Sequence, residues 1–225
     1  MNKKNIIKNG NLDSFVRFLL KKLKEPKPGQ VAHEKMAPKL GNELFRKFKP
    51  DNTASDSAVL LLLTERANSI EILFTLRSQS LTNHSGQISF SGGKIEKNEP
   101  VTTAALRETF EETGIDSADI ITIGELSTLY VPPSNSLIHP VIGYIDKHLI
   151  NIKINPQEVE EAFFLPLAFL FDENNKQIEQ WDFSGLKVNV PFWEIRKRTK
   201  LWGATAMILS EFLVTSKSYF SENKI

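Results

Sequence analysis

The stretch that most constrains this chain runs from Ser91 to Ile115, SGGKIEKNEPVTTAALRETFEETGI. Two adjacent glycines lead through a charged loop into a segment free of glycine and proline that closes on Gly114. Asn98 or Glu99 is expected to cap a helix whose first turn tolerates Pro100, and Gly114 stands where a left-handed residue would end it. The expected helix therefore covers about 100–113. At roughly 100° per residue, Leu106, Phe110 and Thr113 fall within about 60° of one another and form the expected core face. Glu108, Glu111 and Glu112 cluster opposite. On an isolated helix, carboxylates spaced this way repel by a few tenths of a kcal/mol per pair, so local stability does not select them. Acidic helix faces are usually just solvated; a divalent cation held among these three would turn repulsion into attraction.

The rest of the chain supplies the scaffold. Residues 58-AVLLLLT-64 and 70-IEILFTL-76 read as two buried strands joined by the polar turn 65-ERANS-69. Further strands are expected at 120–126, 137–145 and 161–167, with a C-terminal helix at 202–216. Near the N-terminus, Asn11 to Glu25 places Phe15, Phe18, Leu19 and Leu23 on one side of a helix, with Asp13 or Ser14 as its N-cap. The stretch from Pro26 to Pro50 reads as a loop-rich connection. These elements imply an α/β class sandwich with a helical extension over 1–55 and a main domain over 56–225.

Composition narrows the function. Twenty-eight Lys plus Arg against 27 Asp plus Glu leave a formal net charge of +1, so no global field points to nucleic acid or an anionic membrane. Any attraction for anions must be local. Cysteine is absent, which removes disulfides, a thiol nucleophile and Cys-ligated zinc. There is no apolar leader and no run of the roughly 18 residues a membrane span needs. A soluble, cytoplasmic protein is expected, with a homodimer left open.

The spacing carries more than a helix. Gly93, five residues, Glu99, seven residues, Arg107-Glu108, two residues, Glu111-Glu112, one residue, Gly114 and Ile115 fulfil every fixed position of the Nudix box. The chain resembles the Nudix hydrolase superfamily. That resemblance implies a Nudix-type α/β/α sandwich with a mixed sheet, and Mg²⁺ or Mn²⁺ held by Glu108, Glu111 and Glu112, with the backbone carbonyl of Gly93 as a further ligand. Hard oxygen donors suit such ions, which neutralise a diphosphate and lower the pKa of bound water. Gly92 and Gly93 let backbone approach metal and substrate closely. Arg107 is expected to orient Glu108 or Glu111, against the plainer reading of a surface arginine. Glu99 is expected to support or cap rather than ligate.

A second motif lies just upstream. The segment 73-LFTLRSQSLTNHSGQISFSGG-93 is similar to the signature beside the Nudix box in coenzyme A diphosphatases, with agreement at Leu73, Thr75, Arg77, Ser78, Gly86, Phe90, Gly92 and Gly93. Thr82 stands where that family usually has arginine, and Ser91 where it usually has proline. The substrate-binding residues implied are Arg77, Ser78, His84, Gln87 and Gly92, with His84 in a positioning role. The general base is either a box glutamate such as Glu111 or a later carboxylate, for which Glu158, Glu160 and Glu161 are the candidates. Residues 155-NPQEVEEAFFLPLAFL-170 and 191-PFWEIRKRTKLWGATAMIL-209 extend the resemblance. Trp202 reads as a packing anchor. Arg196, Lys197, Arg198 and Lys200 form a basic cluster that either meets a 3′-phosphate or faces solvent. The expected reaction is hydrolysis of coenzyme A or acyl-CoA to 3′,5′-ADP and (acyl-)4′-phosphopantetheine. The alternatives are another nucleoside diphosphate derivative, or a nucleotide sensor without turnover.

Overall fold

The computed structural model describes residues 12–45, 53–80, 85–146, 150–196 and 199–222. In chain order, α1 (Leu12–Lys22) and α2 (Gly29–His33) precede the short β1 (Lys39–Leu40) and β2 (Glu43–Leu44). Then come β3 (Ser55–Arg66), β4 (Ser69–Arg77), β5 (Ile88–Ser89), β6 (Ser91–Lys94) and α3 (Val101–Thr113). Strands β7 (Ile121–Glu125), β8 (Leu129–Val131), β9 (Ser136–Ile145) and β10 (Val159–Pro166) follow, then α4 (Leu167–Phe171). The chain closes with β11 (Lys176–Phe183), β12 (Leu186–Arg196), β13 (Thr199–Leu201) and α5 (Gly203–Glu222).

The main sheet has the order β10-β4-β3-β9-β7, with β5 on β4, β6 on β3 and β8 on β9. Its β3–β9 pair is parallel and the flanking pairs are antiparallel, so the sheet is mixed. Strand β3 explains the layering. Leu60 and Leu62 join a core with Ala104 and Ala105 of α3, while Leu61 and Leu63 join a second core with Phe15 and Leu19 of α1 and Phe212 of α5. A strand buried on both faces reads as an unbroken apolar run, because side chains alternate between two interiors. Each leucine so buried contributes about 1.5–3 kcal/mol. Helices therefore cover both faces of a mixed sheet, as expected.

Several boundaries shift. Helix α1 starts at Leu12 and ends at Lys22, so Asp13 and Ser14 lie in its first turn rather than at the cap; the Leu12 amide donates to Glu65 instead (2.9 Å). The β3–β4 turn is only Ala67-Asn68, both at positive φ (47° and 60°), as a two-residue hairpin loop of the twist-matched kind requires. The expected loop after Pro26 contains α2 and the β1–β2 hairpin. Helix α5 extends to Glu222, well beyond the expected 216.

A second sheet, β11-β12-β1-β2 with β13 on β12, was not expected from the sequence. Trp202 immediately precedes α5 and meets Trp181 of β11 edge to face (4.7 Å). Lys200 pairs with Glu179 and lies over the Phe192 ring at 4.5 Å. The side chain of Arg196, with Lys197 and Arg198, lies outside the described residues. Among the described residues, no helix is long and apolar enough to cross a membrane.

Candidate active site at the β6–α3 junction

Strand β6 pairs antiparallel with β3, Gly92 opposite Val59 and Gly93 opposite Ala58, and α3 packs over it. A Cβ on Gly92 would stand 2.6 Å from Val59 Cα, and one on Gly93 would stand 2.5 Å from the Glu108 carboxylate. Real Cβ atoms do not approach that closely: at Gly92 the clash is with fixed sheet backbone and requires glycine, whereas at Gly93 a Cβ would displace the Glu108 carboxylate, the mobile end of a long side chain.

Helix α3 runs from Val101, with Pro100 at its N-cap position and no side-chain cap, so neither Asn98 nor Glu99 caps it. Gly114 closes it in the left-handed conformation (φ 68°), its amide bonding to Phe110 O. The face assignment needs correcting. Phe110 is 54% exposed, whereas Ala104, Ala105, Thr109, Glu112 and Thr113 are buried. The inner face is made of small residues because the sheet lies close, and a glutamate occupies it.

That glutamate is 1% exposed. Ser91 Oγ donates to Glu112 Oε2 at 2.6 Å, the Gly92 amide reaches the same oxygen at 3.3 Å, and Arg77 Nη1 stands 3.7 Å from Oε1. Burial is the largest influence on the carboxyl and pushes its pKa up to about 7, against the opposing pull of Ser91 and Arg77. Glu108 is likewise raised, chiefly by burial, with Arg107 lowering it and the charges of Glu111 and Glu158 adding to the rise. Glu111 is 47% exposed at its side chain.

Arg107 binds this face together. Its Nε and Nη2 donate to the two oxygens of Glu99 (2.9 and 3.1 Å), Nη1 donates to Glu108 (2.9 Å) and Glu111 (3.2 Å), and Nη2 also reaches Lys94 O (3.1 Å). These carboxylates hold the guanidinium charged far above neutrality, and the bond to Arg107 lowers Glu99.

The later loop is tied to the C-terminal end of α3, where the last carbonyls lack helical partners. Lys153 N donates to Thr113 O (2.8 Å) and Asn155 N to Glu112 O (3.0 Å). Asn155 Nδ2 then donates to Glu158 Oε1 (3.0 Å), and the Ser78 amide donates to Glu158 O (2.9 Å). This brings Glu158 into the field of Glu108. Glu160 is exposed at the bulge between Val159 and Glu161, and Glu161 pairs with Leu76 across β4.

Arg77 and Ser78 thus sit at the end of β4, beside the box. The Arg77 amide also bonds to Gln87 O (3.0 Å), and among the described residues the Arg77 Nε–H is buried without a partner. His84 and Thr82 lie outside the described residues. Two contributors were missed as functional neighbours: Ser91, whose only signal was standing in place of a proline, and Asn155, which had none.

Among the described residues, no three acidic or imidazole groups converge as a ready metal cage; Glu108 and Glu111 share Arg107, and Glu112 faces Ser91. The donor chemistry nevertheless fits a hard divalent cation. A buried carboxylate, Glu112, and a partly buried one, Glu108, both pushed toward protonation, lie beside the backbone of Gly92 and Gly93.

The chain matches the NUDIX domain family model over residues 54–185. It is 28% identical over 173 residues to Nudix hydrolase 3 of Caenorhabditis elegans, covering 71% of this chain and 72% of that one. It is 32% identical over 169 residues to Nudix hydrolase 15, mitochondrial, of Arabidopsis thaliana, covering 72% and 58%. It is 32% identical over 157 residues to the mitochondrial coenzyme A diphosphatase NUDT8 of Homo sapiens, covering 68% and 66%. Across the first relatives matched, the chain spans from 53% to 72% of their length. With the box glycines, arginine and glutamates gathered on one strand and one helix, and the family model matched across them, the chain belongs to the Nudix hydrolases.

Proposed function

We propose that this protein hydrolyses the diphosphate bond of coenzyme A or its thioesters, giving 3′,5′-ADP and (acyl-)4′-phosphopantetheine. One observation carries the reading: Arg77, from the upstream motif, faces Glu112 of the box across 3.7 Å, so the segment resembling a coenzyme A signature abuts the carboxylate cluster. Similarity to a coenzyme A diphosphatase supports it.

Glu108, Glu111, Glu112 and the Gly93 carbonyl would hold Mg²⁺ or Mn²⁺, which when bound neutralises diphosphate charge and acidifies water. Arg107 holds Glu99, Glu108 and Glu111 aligned through its hydrogen bonds to all three. Asn155 fixes Glu158 Oε1, leaving Oε2 to accept the proton of the attacking water. This favours Glu158 over Glu111 and Glu161 as base. Arg77, Ser78 and Gln87, with Gly92 below them, would line the approach of the substrate. His84 would position substrate from the same segment.

The departure at Thr82 favours a second reading, hydrolysis of another nucleoside diphosphate derivative, because a phosphate-facing cation is lost there. A panel of coenzyme A, acyl-CoA, NADH, ADP-ribose and dNTPs with Mg²⁺ or Mn²⁺ separates the two. Coenzyme A is expected to give the highest kcat/KM. Wild-type turnover in excess EDTA would sink the metal-dependent reading.

A further inference from the structure

Ser91 departs from the pattern around it and makes the shortest contact to the most buried carboxylate of the site. It sits in β6 opposite Leu60, whose side chain belongs to the core under α3, so the serine points toward the helix. The residue is buried and its Oγ donates to Glu112 Oε2 at 2.6 Å. The Gly92 amide supplies a second, longer bond to that oxygen, at 3.3 Å. The two oxygens of Glu112 are therefore unequal. Oε2 is held by β6, while Oε1 lies on the Arg77 side, where its nearest charged neighbour among the described residues is Arg77 Nη1 at 3.7 Å.

A proline at position 91 has no side-chain donor. With it, Oε2 would keep only the longer amide bond, and the carboxylate could turn about its terminal torsion, which is broad and weakly restrained. A buried acceptor that loses its partner also seeks another, and the nearest charged donor is Arg77.

We infer that Ser91 is a positioning residue for the divalent cation: its hydroxyl clamps Oε2 of Glu112 and so leaves Oε1 to serve as a ligand. The inference rests on the metal-holding role of Glu112 proposed above. Outer partners of metal ligands characteristically set affinity in this way, by fixing the ligand before the ion arrives.

The test is Mn²⁺ binding to the metal-free protein, followed by electron paramagnetic resonance of the free ion, without substrate or turnover. Ser91→Ala is expected to raise the Kd for Mn²⁺ about 10-fold, within the range that such outer partners command. Ser91→Thr, which keeps the hydroxyl on a side chain suited to a strand, is expected to restore binding to within about twofold. In a Glu112→Gln background the Ser91→Ala effect is expected to vanish, because nothing remains to orient. Melting temperatures in EDTA accompany each titration, so that a folding defect is seen separately. Wild-type affinity in Ser91→Ala, or an undiminished Ser91→Ala effect in the Glu112→Gln protein, would overturn the inference while leaving the metal site standing. Wild-type Mn²⁺ affinity in Glu112→Gln itself would overturn the underlying reading of the site instead.

Discussion

Helices α3 and α5 each bury a glutamate, and the two carboxylates are treated in opposite ways. Glu211 of α5 is 0% exposed and accepts from His33 Nε2 (2.8 Å), the Gly29 amide (3.1 Å), and the amide and hydroxyl of Ser127 (hydroxyl at 2.7 Å). Burial alone would raise its pKa, but His33 and Ser127 outweigh it and the net shift is downward. Glu112 of α3 is equally buried yet has one short bond, one long one and a distant arginine, and its pKa rises to about 7. Glu211 is a finished structural link joining α2, the loop around Ser127 and α5. Glu112 is left short of positive charge, and an incompletely satisfied carboxylate is what a cation site needs before the cation binds.

The largest expected contrast comes from removing each glutamate. Glu112→Gln is nearly isosteric and should fold, yet lose at least about 100-fold in kcat, as loss of a metal-held charge entails. Glu211→Ala should do the reverse. It strands several buried donors and should cost about 4 kcal/mol in urea unfolding, with kcat per folded molecule unchanged. If Glu211→Ala abolished turnover without lowering stability, the division between the two carboxylates would fail.

The same contrast predicts a pH signature in the metal-free protein. Since the folded pKa of Glu112 lies near 7 against an ordinary value of 4.5, the native state holds this proton more tightly than the unfolded chain does. Ionisation therefore lowers stability, and the loss accrues as pH rises from about 4.5 to about 7, reaching on the order of 3 kcal/mol. Unfolding of wild type and Glu112→Gln in EDTA across pH 4 to 8 should diverge over that interval, with the glutamine variant more stable at the top. Parallel curves would mean Glu112 is compensated after all.

A smaller effect tests the link between the two motifs. Arg77→Ala should lower kcat/KM for coenzyme A by about 2 kcal/mol, or roughly 30-fold, as for a lost charge-assisted contact. The loss should be less for other diphosphates. Equal loss on every substrate would make Arg77 a support of Glu112 rather than a reader of coenzyme A.

What the sequence disclosed follows from how local each signal is. The box glutamates, Gly93 and Gly114 were legible because loop and helix geometry fix them within a few turns of chain. The two-sided burial of β3 was legible as an unbroken run of leucines. The second sheet was not, although Ser184-Gly185 lies between the segments that form β11 and β12 and both residues take positive φ. Strand β11 is mostly exposed, so its apolar pattern is weak. Ser91 acts through a partner 21 residues away, a distance at which no spacing rule operates; Asn155 is only three residues from Glu158, but its tie to the end of α3 is a long-range backbone bond.

The smallest effect bears on Phe110, the member of the expected core face of α3 that turns to solvent while Leu106 and Thr113 pack inward. Helical spacing groups Phe110 with Leu106 and Thr113, and an aromatic in such a group ordinarily faces the core. Here the sheet approaches α3 through Ala104, Ala105 and Thr109, leaving no room for a ring, and Phe110 turns to solvent at 54% exposure. Helix α5 does the opposite: Phe212 is fully buried, edge to face with Phe15 at 6.2 Å between ring centres. Truncating each ring measures the difference directly. Phe212→Ala should cost about 3–5 kcal/mol, the usual cost of emptying a packed aromatic site, whereas Phe110→Ala should cost less than about 1 kcal/mol. Urea unfolding of both variants at one pH, with metal removed, is the measurement. A cost for Phe110→Ala near that of Phe212→Ala would place the ring in a core and restore the periodic reading. It would also rotate α3 enough to carry Glu112 out of reach of Ser91.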